Sequence, residues 1–314
     1  MKKVTVIILN WNGGEMTVKC LESLAGMESD DLSVEIVVVD NGSSDGSVEM
    51  IKSITGIKST TGIKLIENKE NLGYAEGNNV GIRYALKNGA DYVCLLNNDT
   101  RISPDFLIQL IEIADSEKEI GVVGGKIYFE KGYEFHKDRY RNEDLGKVIW
   151  YAGGKIDWQN VYAIHRGVDE VDEGKYDPPA GGTETEYVNG CLMLVKKEVF
   201  IKAGFFDSKY YLYFEENDFC QRAKKAGFKL YFAPKSVIWH LNAGSSGPGS
   251  RLHDYFLTRN RLLFGMRWAP LRSKLALIKE SLWMLFTGRK WQKIGVKDFY
   301  LRKFGKGSWI ENEK

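Results

Sequence analysis

Tyr92-Val93-Cys94-Leu95-Leu96-Asn97-Asn98-Asp99-Thr100 is a short β-prone apolar run that ends abruptly in two amides and one carboxylate. In open α/β sheets, ligands bind just beyond the carboxyl ends of the strands, so Asp99 stands at a ligand position if Tyr92 to Leu96 is such a strand. A lone Asp there can hold a divalent cation, with water and a substrate's phosphates completing the octahedron. The same residues also suit a plain turn, with Asn98 or Asp99 as a cap. The flanking chain weighs the two readings.

Upstream, Val4-Thr5-Val6-Ile7-Ile8-Leu9 is almost continuously β-branched, the pattern of a strand buried on both faces of a parallel sheet. Asn10-Trp11-Asn12-Gly13-Gly14 breaks it, and Met16 to Leu24 takes helical spacing. Glu35 to Val39 repeats the strand pattern and ends at Asp40-Asn41-Gly42-Ser43-Ser44-Asp45-Gly46; Val48 to Ile54 follows as a helix. Lys64 to Glu67 is a third, weaker strand. After the loop Asn71-Leu72-Gly73-Tyr74-Ala75, Gly77 to Lys87 is a helix with Gly89 past its end. This alternation predicts an α/β fold with a mostly parallel, right-handed sheet covered on both faces. Asp40 and Asp99 close two of its strands, and on neighbouring strands they would face one crevice. The first strand is followed by no GxGxxG, and the chain has no GxxxxGK[ST], which disfavours a dinucleotide-binding dehydrogenase and a P-loop enzyme.

Downstream, Phe106 to Ala114 reads as a helix and Gly121 to Gly125 as a short strand. Residues 130–185 lose periodicity and gain charge, Gly and Pro, as a long loop-rich excursion would. Tyr187 to Val195 then reads as a strand and Lys197 to Ala203 as a helix. A second dense stretch follows, from Phe205 to Arg222, in which Asn217 is placed to N-cap a helix that Gly227 stops. Glu215, Glu216 and Asp218 fall at that helix's start, behind a run of aromatics. Acids there are favoured by the helix dipole as ordinary end charges. A carboxylate against an apolar wall is also how a general base has its pKa raised toward neutrality. Lys229 to Pro234 and Val237 to His240 read as edge-like strands, and His240 opens the flexible loop Gly244 to Gly249. For His240, a metal or phosphate contact and a core hydrogen bond are both open.

Hydrophobic content of 43% and charged content of 27% are ordinary for a globular chain. Cys20, Cys94, Cys191 and Cys220 are far apart and form no CxxC, which suits buried thiols in a reducing compartment and excludes a disulfide framework. The N-terminus runs straight into a strand without a signal-peptide pattern, and no apolar run approaches the roughly 20 residues that span a bilayer. The expectation is a cytoplasmic protein. The net charge of +2 is unevenly spread: Ser250 to Lys314 carries 15 basic and 5 acidic residues, the rest 29 and 37. That tail also holds Trp268, Trp283, Trp291 and Trp309. Leu275, Ile278, Leu282 and Leu285 form a helical stripe with Trp283 and Phe286 beside it, bordered by Arg and Lys. This describes a helix lying in a membrane interface, with packing on the main domain as the alternative. Nucleic acid is not expected as a partner, because no helix-turn-helix or RNA-binding signature accompanies the charge.

Taken in order, several motifs resemble those of family 2 glycosyltransferases with the GT-A fold. They are Val6 to Gly13, Val38 to Asp45, Asn71 to Asn79, Leu96 to Asp99, Asn189-Gly190-Cys191, Phe214 to Phe219 and Trp239-His240. The chain is most similar to the rhamnosyltransferase-like branch, whose tail also resembles Tyr255-Phe256-Leu257-Thr258-Arg259-Asn260-Arg261. The resemblance implies a GT-A catalytic domain over 1–249, with a nucleotide-binding half (1–125) and an acceptor-binding half (126–249), followed by a helical tail over 250–314. It implies inverting transfer of a sugar from a UDP-, dTDP- or GDP-sugar to a hydroxyl of a glycan or lipid-linked acceptor in cell-surface synthesis, with Mg²⁺ or Mn²⁺. By this resemblance Asp99 ligates the metal, with His240 completing the metal or diphosphate site. Asp40 contacts the nucleotide base, with Asn10, Asn12, Asn41, Gly73, Asn78, Asn98 and Gly190 in the donor site. Glu216 takes the catalytic base position, with Glu215 and Asp218 beside it. Two departures stand out: the DxD motif is reduced to Asn97-Asn98-Asp99, and the family's Glu-Asp pair is Glu215-Glu216. The competing readings are a catalytically weak nucleotide-sugar-binding homologue and a membrane-surface module. The acids kept at 99 and 216 favour the enzyme. Peripheral contact with the inner face of the cell membrane would run through 250–314.

Overall fold

The structure is a computed structural model that describes residues 1–29, 31–55, 63–179, 181–241 and 249–310. Its first half follows the expected alternation. β1 (Lys2–Asn10), β2 (Leu32–Asp40), β3 (Ile63–Glu67) and β4 (Tyr92–Asn97) run parallel, connected by α1 (Gly14–Leu24), α2 (Ser47–Thr55) and α3 (Gly73–Lys87). The apolar runs of β1, β2 and β4 are buried, with Val4, Ile7, Val37, Val39, Val93 and Leu95 fully enclosed, while β3 at the edge is only partly covered. Burial of this kind is the main favourable term for such a sheet.

β5 (Thr100–Ile102), α4 (Phe106–Ser116) and β6 (Ile120–Phe129) follow. β6 is ten residues long where the sequence suggested a short strand at Gly121 to Gly125. The excursion at 130–185 is only partly loop. β7 (Ile149–Tyr151) pairs with β6, β8 (Gly154–Asp157) and β9 (Tyr162–His165) form a hairpin, and β10 (Thr183–Glu184) adds to the main sheet. Next come β11 (Leu192–Lys196), α5 (Lys197–Ala203), α6 (Glu215–Lys225) and β12 (Lys229–His240). The strand expected from Tyr187 forms only from Leu192, because Tyr187 to Cys191 is drawn off to pack at the sheet's edge of the site. The two edge-like strands expected around Pro234 are a single strand, β12, and it lies inside the sheet between β6 and β10. Pro234, which has no N–H to donate, sits in the register shift between Ala233 and Val237, so the strand continues past it.

The sheet order is β10-β12-β6-β11-β4-β1-β2-β3, with β11 antiparallel to both neighbours. β1 therefore separates β2 from β4. Asp40 and Asp99 do not close adjacent strands; Asn10, at the end of β1, stands between them. The expected N-cap at Asn217 is also displaced. α6 begins two residues earlier, at Glu215, with Phe214 before it in a left-handed conformation (φ 72°). Gly227 ends the segment at φ 91°, as expected. All four cysteines are buried and unpaired.

The tail forms α7 (Arg251–Trp268), α8 (Leu271–Thr287) and α9 (Lys290–Tyr300). It packs on the body. Leu262, Phe264, Leu277 and Val296 join the same core as the sheet, and Trp158 stacks on Phe264 at 5.7 Å. Three of the four tail tryptophans face inward: the Trp268 indole donates to Asp218, and Trp291 and Trp309 pack with Tyr255 and Phe256. Of the tail tryptophans, only Trp283 is strongly exposed. Among the described residues no helix is long and apolar enough to cross a membrane.

Candidate active site

The carboxyl ends of β1, β2 and β4 are joined by a chain of amide hydrogen bonds. Asn10 donates to Asp40 at 2.7 Å and accepts from Thr17 at 2.7 Å, and Asn98 donates to Thr17 at 2.9 Å. Asp40 also accepts from the Ser43 amide at 3.0 Å, which folds the loop after β2 back onto its own strand. Asn12 accepts from the Ser44 amide at 2.8 Å, and Asn41 bonds Asn71 and the Gly73 carbonyl. These contacts place Asn10, Asn12, Asp40, Asn41 and Asn98 along one sheet edge. Gly73 starts α3 at φ 78°, and a Cβ there would lie 2.5 Å from the Tyr211 ring, so the close approach of that loop needs glycine. Asn78 is not brought to this edge: it is buried and donates back to the Tyr74 carbonyl of its own helix.

Beyond β4, Asp99 meets His240, the last residue of β12, with Nε2 and Oδ2 3.1 Å apart. The pairing of β5 with β12 produces this, setting His240 opposite Thr100, and the Leu241 amide donates to the Asp99 carbonyl. His240 is buried, and its Nδ1 has no hydrogen-bond partner among the described residues. Its ring lies 4.7 Å from Trp150, whose other neighbour is His165 at 4.5 Å. Burial pushes the His165 imidazole down to about 4, and the positive charge available to His240 adds to this, so His165 is neutral. It reaches Asn189 at 3.3 Å. A carboxylate and an imidazole together suit Mg²⁺ or Mn²⁺, Mn²⁺ better for the nitrogen. No group of three or more His, Cys, Asp or Glu converges among the described residues.

The third component is the start of α6. Glu215 is buried while Glu216 is partly exposed, and each has one buried carboxylate oxygen without a hydrogen-bond partner among the described residues. Burial raises the Glu215 carboxyl well above the usual range, and the neighbouring charge of Glu216 raises it further. Burial pushes Glu216 up to about 7, against the lowering effect of backbone amides at the helix start. Asp218, one turn further along, goes elsewhere. It is wholly enclosed and accepts from Arg222 at 2.8 Å, the Trp268 indole at 2.8 Å and Arg267 at 3.0 Å. It ties α6 to α7 and does not share a cleft with the two glutamates.

Tyr74 connects the parts, and reading the residue types alone did not single it out. Its hydroxyl donates to the Gly190 carbonyl at 2.8 Å and lies 3.4 Å from Asn97. Burial raises its pKa well above the ordinary phenol value, with further contributions from Glu215, Glu216, Cys191 and Asp99. It therefore lies within electrostatic reach of both the glutamate pair and the metal-type acid. The only signal was its place in Asn71-Leu72-Gly73-Tyr74-Ala75. His165 gave none, being a single His within the excursion.

The loop before α6 is the second unforeseen feature. Tyr211, Tyr213 and Phe214 all have positive φ, at 65°, 68° and 72°. For bulky residues this conformation costs on the order of 1–2 kcal/mol each. Asn260 of α7 holds the loop by donating to the carbonyls of Tyr210, Leu212 and Tyr213 at 2.7, 2.7 and 3.0 Å. The fully buried Arg259 adds bonds to the Lys209 and Tyr210 carbonyls at 3.2 and 3.0 Å.

Residues 5–172 match the family described as Glycosyl transferase family 2. The chain is similar to the N-acetylglucosaminyl-diphospho-decaprenol L-rhamnosyltransferase of Mycobacterium tuberculosis, 23% identical over 229 residues covering 70% of this chain and 71% of that protein. It is similar also to the low-salt glycan biosynthesis hexosyltransferase Agl10 of Haloferax volcanii, 23% identical over 228 residues, 72% of this chain and 63% of that protein. Among solved structures, the mannosyltransferase PcManGT from Pyrobaculum calidifontis, in complex with GDP-Man and Mn²⁺, matches 95% of this chain and 74% of its own. The TM-score is 0.53 at 17% identity. GalNAc-T7 with UDP, GalNAc and Mn²⁺ matches with a TM-score of 0.62 at 16% identity, over 96% of this chain and 57% of its own. The last two likenesses show the GT-A fold; the family match, over more than half of the chain, shows that this glycosyltransferase belongs to glycosyl transferase family 2.

Proposed function

We propose that this chain is a metal-dependent inverting glycosyltransferase, moving a sugar from a nucleotide-diphosphate donor to an acceptor hydroxyl in cell-surface glycan or glycolipid synthesis. The observation that carries the reading is the pairing of two sites across Tyr74: an Asp99–His240 contact at 3.1 Å, and a glutamate pair with unsatisfied carboxylate oxygens. Asp99 and His240 would hold Mg²⁺ or Mn²⁺, with the donor's diphosphate supplying further oxygens; the ion would neutralise the departing diphosphate. Asp40, Asn10, Asn12, Asn41 and Asn98 shape the nucleotide end.

Glu216 is the base. It is the more exposed of the pair, so an acceptor hydroxyl can reach it, whereas Glu215 is sealed behind it. The acceptor proton passes to Glu216, the acceptor oxygen bonds the anomeric carbon, and the bond to the diphosphate breaks with its electron pair leaving on the diphosphate oxygen. In this single displacement the acceptor oxygen enters opposite the departing diphosphate, so the configuration inverts. The relative from M. tuberculosis is named for rhamnosyl transfer to a lipid diphosphate, and a rhamnosyl or related hexosyl donor with a lipid-linked acceptor is the substrate class proposed here.

Contact with the membrane surface fits that acceptor. Leu271, Leu275, Leu282, Trp283 and Phe286 leave an exposed apolar face on α8, and the same helix carries Arg272, Lys274 and Lys279. Apolar and basic groups combined in this way favour an anionic lipid surface. A screen of UDP-, dTDP- and GDP-sugars with Mn²⁺, read as thermal stabilisation and then as turnover on lipid-diphosphate acceptors, tests the proposal. One donor class should stabilise the protein and be consumed; no stabilisation and no turnover with any of them would overturn it.

A further inference from the structure

A pocket of about 360 Å³ opens at the carboxyl ends of β1, β2 and β3, within the range of small-molecule sites. Trp11, Asn12, Gly42, Ser44, Glu70 and Asn71 line it from the loops after those strands, and the remaining lining residue is Lys306, from the far end of the chain. We propose that Lys306 completes the nucleoside end of the donor pocket and selects bases with a carbonyl where adenine and cytosine carry an exocyclic amino group: uracil and thymine through O4, or guanine through O6. This rests on the donor-site reading above.

The C-terminal segment is built to place this lysine. Arg259 donates to the carbonyls of Lys303 and Gly305 at 3.4 and 2.7 Å, and the Gly305 amide donates to the Lys209 carbonyl at 2.9 Å. The Ser308 amide bonds Asp298 at 2.8 Å, and Trp309 packs 4.9 Å from Trp291 and 6.1 Å from Tyr255. Gly305 and Gly307, on either side of Lys306, both have positive φ, and a Cβ on Gly307 would fall 2.1 Å from the Tyr255 hydroxyl. Only glycine lets the chain turn there while lying this close to α7. The same guanidinium that anchors the loop before α6 thus anchors the segment carrying Lys306.

Position and chemistry decide what the lysine meets. The pocket lies at the ends of β2 and β3, on the far side of β1 from β4 and Asp99. At roughly 4.8 Å between strands, the end of β2 is about 10 Å from that of β4, so a diphosphate held at Asp99 would leave its nucleoside here. An ammonium carries three donors and no acceptor. It can bond O4 of uracil or thymine or O6 of guanine but has nothing to offer the exocyclic amino group that adenine and cytosine carry there, while Glu70 in the same pocket can accept from the ring N–H beside that carbonyl, which adenine and cytosine lack.

The test is calorimetric titration of the full chain, with Mn²⁺, using UDP, dTDP, GDP, ADP and CDP. The wild type should bind at least one keto-base diphosphate about tenfold more tightly than ADP or CDP. Lys306→Ala should lose about tenfold in affinity for that nucleotide, with ADP and CDP little changed. Lys306→Arg should recover most of the loss, and Lys303→Ala, on the same segment, should have no effect. Unchanged affinity in Lys306→Ala overturns the inference, as does an equal loss for all five nucleotides, which would place the ammonium at the diphosphate. If the wild type binds none of them, the donor-site reading itself fails, and this inference with it.

Discussion

Glu216→Gln should make the protein more stable at alkaline pH while removing its activity. In the folded chain the Glu216 carboxyl is raised from 4.5 to about 7 by burial, so the folded state holds a proton that the unfolded state has released between those values. Because the folded state binds more protons there, stability falls as pH rises. Below the unfolded value both states are protonated and nothing is lost; above about 7 the full penalty is present. A shift of this size corresponds to roughly 3 kcal/mol at pH 8, but less than about 1 kcal/mol at pH 5.

Glutamine keeps the shape and removes the charge. Any cost of burying its amide is the same at both pH values and cancels between them. For a chain of 314 residues, 3 kcal/mol is worth on the order of 5 °C in Tm. Thermal melts of wild type and variant at pH 5 and pH 8 should therefore show the variant gaining about 4 °C relative to wild type between the two conditions. Sugar transfer should fall by about 10²–10⁴, the usual worth of a general base, while donor binding survives. In the wild type, kcat should rise with pH through an apparent pKa near 7. A melting difference that does not change with pH, or near-normal turnover in the variant, would refute the assignment.

Three further outcomes follow from the same geometry. Chelator should abolish wild-type transfer and Mn²⁺ or Mg²⁺ restore it, whereas Asp99→Ala should lose both activity and metal-dependent stabilisation; activity indifferent to chelator would contradict the role given to Asp99. Asn260→Ala removes the amide whose two hydrogens are shared among three carbonyls of the loop before Glu215, worth about 1 kcal/mol per hydrogen, so urea unfolding should show a loss of about 2 kcal/mol and kcat should fall more than donor affinity. Replacing Trp283 and Phe286 together with Ser should weaken co-sedimentation with phosphatidylglycerol vesicles and leave transfer to a soluble acceptor intact; unchanged vesicle binding would assign that face to something other than lipid.

The first half of the fold was legible because its signals are local. Continuous β-branched runs such as Val4 to Leu9, punctuated by Gly-rich loops, specify buried parallel strands without reference to anything distant. The second half depends on pairing between residues far apart. β12 runs through Pro234 because β6 and β10 hold it on both sides, and no local pattern records that. The same limit applied at the site. Asp99, His240, Glu215 and Glu216 were legible as polar residues at element ends. Asp218 belongs to the same short run of acids, and only the approach of Arg267 and Trp268 from α7 shows that it faces the other way. Tyr74 and His165 are ordinary core-compatible residues whose significance arises from what folds around them.

The tail shows most clearly how composition can mislead about partners. Read as a list, 15 basic residues and four tryptophans over 250–314 point outward, to a membrane. In the folded chain two of those cations, Arg259 and Arg261, are buried, and others are tied to acids of the body. Arg259 is fully buried on backbone carbonyls, Arg261 pairs with Glu280 and the Asn160 carbonyl, and Arg267 meets Asp207 and Asp218. Arg259, together with Asn260, offsets a specific cost, the run of aromatics at positive φ that leads into Glu215 and Glu216. Each such residue costs on the order of 1–2 kcal/mol, which the loop could not sustain without hydrogen bonds from outside itself. Removing α7 would take the Arg267 and Trp268 donors from Asp218, strip the loop of Asn260 and Arg259, and release the segment that carries Lys306. Through α7 the helical tail thus supports the loop that leads into Glu215 and Glu216, while most of its exposed apolar side chains lie on α8.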